Sequence, residues 1–177
     1  EHHQAEQDAG NRAEEAARVV DDAVARAAQA IATDPWDLPF ALIYLIDPSD
    51  KLTPLLAGHS GLDPGSNALG PWPFAEAQRT RDMVIVDLTN RQSAITWTNN
   101  DGWDRPPRQA AVLPISQVGE EGRTGFLVVG LSPFRQPDAE YRGFLSLVAS
   151  QLSASIGNAE AYQEERRRAE SLASLDR

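Results

Sequence analysis

The chain has 177 residues, a formal net charge of −10 and no cysteine. That length suits one domain with a real core and some chain left over. The missing cysteine excludes disulfides, thiolate metal sites, cysteine nucleophiles and thioether-linked cofactors. The acidic balance argues against nucleic acid, because the one basic cluster is Arg166-Arg167-Arg168.

The opening "EHHQAEQDAG" has neither a basic n-region nor an apolar h-region, so it is not a signal peptide. No apolar run is long enough to span a bilayer. A soluble, cytoplasmic module is expected. The first residue is Glu rather than Met, and the expectation is a fragment of a longer chain.

Residues 11–32 are Ala-rich, and Ala13, Ala16, Val20, Ala23, Ala27 and Ile31 recur at three- and four-residue steps. This is a helix stripe. Asn11 and Glu14 resemble a capping box. The stripe fits a helix packed on its own domain or one paired with its copy in a dimer.

"TDPWDLP" ends that helix with two prolines. "FALIYLID" then reads as a buried strand and "KLTPLLAGHS" as its hairpin partner, over 39–60. Pro54 predicts that the second strand is an edge or a bulged one. "FAEAQRT" reads as a short helix and "MVIVDL" as a third strand. The polar stretch 89–107 carries Trp97 and Trp103, and a connection of that length is often a binding loop or lid. "RQAAVLPISQV" and "TGFLVVGLS" form a second hairpin around "GEEGR". Asp138 is the predicted N-cap of a last helix, whose stripe is Tyr141, Leu145, Val148, Leu152, Ile156 and Ala159.

Strands grouped between helices at both chain ends predict an α+β fold: one antiparallel sheet with the long N- and C-terminal helices packed on one face. A helix from Asp138 to Arg177 would run about 60 Å. A compact domain of this length is roughly 40 Å across. The helix must therefore overhang, and Leu172 and Leu175 return apolar residues beyond the solvated "QEERRR". The simplest partner for such an overhang is a second copy.

The order "RQAAVLPI", "TGFLVVGL", then "PFRQPDAEYRGFLSLVASQLSASIGNAEAYQEE" resembles the C-terminal half of GAF domains. Pro114-Ile115, Gly125, Leu127, Gly130 and Asn158-Ala159-Glu160-Ala161-Tyr162 stand in the family's places, and "LPFALIYLID" resembles its first strand. The resemblance covers roughly 14–165 and is looser between 60 and 107. The tail "ERRRAESLASLDR" resembles the connector to the dimerisation helix of bacterial sensor histidine kinases. It implies a helical signalling and dimerisation segment over 1–34, a sensory domain over 35–162, and a linker over 163–177 toward a missing effector.

The resemblance implies a sensory module that is not itself an enzyme and that acts as a homodimer through its terminal helices. It would bind a small molecule or relay an upstream signal to a downstream kinase module. Bilin-binding and methionine-sulfoxide-reducing members use Cys, which is absent here. Cyclic-nucleotide-binding members carry an Asn-Lys pair and Phe-x-x-x-Asp-Glu. Phe134 to Asp138-Ala139 matches only in part, and Gly130-Leu131 stands where Asn-Lys is expected. No cofactor and no metal site is expected.

What remains is an apolar pocket on the sheet face away from the terminal helices. The resemblance places Tyr44, His59, Trp72, Phe74, Trp97, Trp103 and Arg108 around it. His59 is first a structural residue at a strand end, with ligand contact the second reading. Trp72 and Phe74 read first as packing for the short helix. Trp97 and Trp103 fit packing and ligand contact equally. Ser150, Ser153 and Ser155 have no neighbouring base and read as small helix-face residues.

Overall fold

A computed structural model describes residues 2–32, 38–46, 53–62, 71–90, 107–115 and 124–175. The elements run α1 (His2–Ala32), β1 (Ala41–Ile46), β2 (Pro54–Ser60), α2 (Phe74–Thr80), β3 (Val84–Asp87), β4 (Gln109–Ile115), β5 (Gly125–Gly130) and α3 (Ala139–Leu175). The strands form one five-stranded sheet in the order β2-β1-β5-β4-β3. Every pairing is antiparallel. Pro54 does lie on an edge strand, and β1–β2 carries an irregularity between Ile43 and Tyr44.

Strand alternation divides the core in two. Ala41, Ile43 and Leu45 of β1, Leu113 of β4 and Leu127 of β5 join α1 and α3 on one face. Phe40, Leu42, Ile46, Val112, Phe126 and Val128 join Trp72, Ala77 and Leu88 on the other. The sheet is therefore covered on both sides, and all six residues of β5 are buried.

Gly125 and Gly130 bracket β5, and the fold needs both. A Cβ on Gly125 would stand 2.3 Å from the Tyr44 carbonyl oxygen, and one on Gly130 would stand 2.5 Å from the Phe40 ring. These contacts give a steric reason for glycine at both ends of "GFLVVG".

The buried face of α1 is Val20, Val24, Ala28 and Ile31. The helix is thus turned by about one residue from the alanine stripe, and Ala23 and Ala27 are half-buried at its flank. Larger Val24 fills the space over the sheet, and burial favours the face with more apolar area. The α3 face follows the expected spacing: Tyr141, Leu145, Leu152 and Ile156 are buried, with Ala149 and Ser153 beside them. Val148 is partly buried against the same core. Asp138 caps α3, its carboxylate accepting the Tyr141 N–H at 2.8 Å.

The end of α1 leads into β1, and α3 follows β5. Ala41 pairs with Val129, so the start of β1 and the end of β5 meet at one end of the sheet. The two long helices therefore run antiparallel. Their remaining lengths leave together from the other end. Residues 3–11 of α1 are exposed, and no residue of α3 from Gly157 to Leu175 is buried.

Candidate functional site

The face away from the long helices is closed by α2. This seven-residue helix has no side-chain cap and ends on Arg81 in the left-handed region (φ 54°). It is held by its side chains rather than by its own propensity. Ala77 is fully buried, and Trp72, just before the helix, is 8% exposed.

Three of the expected site residues meet here. The Phe74 ring lies 5.0 Å from Tyr44, edge to face, and 4.6 Å from Phe126, tilted. The Trp72 side chain hydrogen-bonds Tyr44; an indole can only donate, so the Tyr44 hydroxyl oxygen accepts. Burial pushes the Tyr44 phenol above its ordinary range, and the bond from Trp72 opposes that shift. Tyr44 pairs with Phe126 across β1–β5, which is why both rings point the same way. Phe126 belongs to this cluster but was not singled out in the sequence. The signal was available in the alternation of β5, once β5 was aligned with β1.

The other residues are more scattered. His59 pairs with Leu42, so it faces this same side of the sheet, but its side chain is exposed on the edge strand. Leu56, opposite Tyr44, is 38% exposed and extends the apolar surface toward that edge. Arg108 lies just before β4 with an exposed side chain, and its carbonyl accepts the Leu88 N–H at 2.8 Å. By strand register it sits about six residues, roughly 20 Å, along the sheet from Tyr44. Trp97 and Trp103 fall outside the described residues.

This arrangement offers aromatic faces, one phenol and an indole N–H. It suits an apolar or aromatic ligand wedged under α2, or a plug of packed rings. Among the described residues, no group of three His, Asp or Glu side chains could hold a metal ion. Ser150 and Ser153 lie on α3, on the other side of the sheet, and the Ser153 hydroxyl donates to the Ala149 carbonyl at 2.9 Å. No helix among the described residues is long and apolar enough to cross a membrane.

The sequence matches the GAF domain family over residues 17–156. No curated protein matches it. Among solved structures, the GAF domain of an Acinetobacter phosphoenolpyruvate-protein phosphotransferase is similar with a TM-score of 0.53 at 18% identity, over 80% of this chain and 84% of that one. A type II free methionine-R-sulfoxide reductase from Thermoplasma acidophilum gives 0.54 at 12% identity, over 81% and 95%. A domain of a putative two-component sensor histidine kinase protein from Sinorhizobium meliloti gives 0.51 at 16% identity, over 78% and 94%. At these identities the likeness is one of fold.

Proposed function

The chain belongs to the GAF domain family, and from that premise we propose that it is the sensory or regulatory domain of a cytoplasmic two-component signalling protein. The parent is a histidine kinase in this reading, and this segment performs no chemistry. It binds a small molecule, or receives an upstream signal, and passes it through a dimeric bundle of α1 and α3.

One observation carries the reading. Both long helices pack on one face of the sheet and leave from the same end, while the other face holds a separate aromatic cluster under α2. A change under α2 reaches the helices through the sheet itself. Adjacent β5 residues face opposite ways, Phe126 toward α2 and Leu127 toward the helices. A signal biases the bundle only if it has different affinity for two helix arrangements. The fold shared with the domain of the putative two-component sensor histidine kinase protein from Sinorhizobium meliloti accords with this reading.

A second reading has a specific observation in its favour. Phe74 sits between Tyr44 and Phe126, so rings fill the space where a ligand would lie. The domain then relays motion and binds nothing.

Native mass spectrometry followed by denaturing mass on the same sample separates the two. Mass beyond the polypeptide, lost on denaturation, supports the sensor. A clean polypeptide mass that stays clean after incubation with a small-molecule library supports the relay.

A further inference from the structure

α3 lies over β4, and the sheet runs on past it to the edge strand β3. On that helix-side face Met83 and Ile85 are only partly buried. A groove of about 450 Å³ opens there, within the range of small-molecule sites. Its floor is apolar, made by buried Leu113 and Ala149, with Met83 as one wall. The groove stays open because α3 turns small side chains toward it. Ser146, Ser150 and Ser153 recur at four- and three-residue steps, where leucines would fill the space.

Arg81 stands at the rim, the one cation among the described residues that line the groove. Its side chain is exposed, and its guanidinium has no ion pair or hydrogen bond among the described residues. Its backbone is unusual. At φ 54° it is the only described non-glycine residue in the left-handed region. Glycine or asparagine would end α2 there with less strain. A long cation at this position costs stability, and backbone strain of this kind gathers at binding sites.

We propose that this groove binds a small organic carboxylate with an apolar body, held by the Arg81 guanidinium. The planar fork of a guanidinium matches the two oxygens of a carboxylate. One cation balances one negative charge. A phosphate would bring a second charge beside Asp82, with no second cation to meet it. Asp82 itself accepts the Met83 N–H at 2.7 Å, so its carboxylate is tied into its own turn. The Ser150 hydroxyl and the Asn158 amide supply further donors along α3, and the apolar body lies on Leu113 and Ala149.

This site is separate from the aromatic cluster. Leu113 and Ala149 belong to the α1–α3 side of the sheet, whereas Phe126 and Trp72 belong to the other. The inference therefore goes beyond the sensory reading above. A carboxylate in the groove touches α3 and the turn between α2 and β3 together, so it acts on α3 without passing through the sheet.

The test titrates the isotope-labelled 177-residue chain with sodium hexanoate and sodium benzoate, followed by amide chemical shifts. Hexanamide is the uncharged control. Saturable shifts are expected at residues 81–83 and 150–158, with hexanamide weaker by about tenfold or more. Arg81→Gly is expected to weaken the carboxylates by about tenfold or more while unfolding no earlier than the wild type, since glycine suits φ 54°. That loss cannot then be misfolding. Ser150→Trp, on the exposed side of α3, is expected to block binding by filling the groove. No saturable shift at residues 81–83 below about 50 mM of either carboxylate overturns the inference, as does unchanged binding in Arg81→Gly. Shifts confined to Tyr44, Trp72 and Phe126 overturn it too, and leave the sensory reading standing.

Discussion

The phenolic oxygen of Tyr141 accepts the buried N–H of Ser132 at 3.0 Å. This bond joins the first turn of α3 to the segment leaving β5. Tyr141 is fully buried, and the Arg135 guanidinium lies 4.9 Å from its ring centroid. The Ser132 hydroxyl in turn accepts the Phe134 N–H at 3.3 Å. The entry angle of α3 is thus set by a tyrosine hydroxyl, and Tyr141→Phe leaves a backbone donor unpaired in the core. The expected cost is about 1–3 kcal/mol, read from the shift of a urea unfolding midpoint at constant slope.

Gly125→Ala is expected to destabilise by about 1–3 kcal/mol. The added methyl meets the Tyr44 carbonyl, which belongs to a paired strand and has nowhere to move. Thermal unfolding monitored by circular dichroism measures the effect, and an unchanged midpoint would contradict the close approach of β1 and β5.

Arg81→Gly is expected to stabilise by up to about 1 kcal/mol. Arg81 ends α2 at φ 54°, where a Cβ is strained and glycine is not. The gain is partly offset by the larger unfolded-state entropy of glycine. Denaturant titration of the two chains decides it.

Phe74→Ala is expected to cost about 2–4 kcal/mol, because it removes two ring contacts and leaves a void under α2. If the void accepts small aromatic molecules, the unfolding temperature of the variant should rise in their presence, with no such rise for the wild type.

Alkaline stability should depend on Tyr44. Burial raises its folded pKa above the unfolded value, so its contribution is fully present below the ordinary tyrosine range and is lost as pH rises through the folded pKa. The unfolding midpoint should therefore fall across that alkaline window. In Tyr44→Phe the fall should be smaller, and an equal fall in both chains would remove Tyr44 as its source.

Much of the fold was legible in the chain. Strand alternation, the prolines around residues 35–39, Asp138 and the α3 spacing are local signals, and local sterics and capping act within a few residues. The α1 register was less legible, since a run of alanines has no strongly preferred face until Val24 meets the sheet. For the site, Trp72 and Phe74 stood out by residue type beside the short helix. Phe126 did not, because its partnership with Tyr44 depends on which strands become neighbours.

By itself, then, the sequence determined the element types, their order, the glycines bracketing β5 and the absence of cysteine chemistry. The tertiary structure decided three further things: the β2-β1-β5-β4-β3 order, the common end from which α1 and α3 leave, and the pairing of Tyr44, Phe74 and Phe126. The reason is physical. Periodicity and capping are set by neighbours in the chain, whereas strand order and ring contacts are chosen by the burial of residues far apart in sequence.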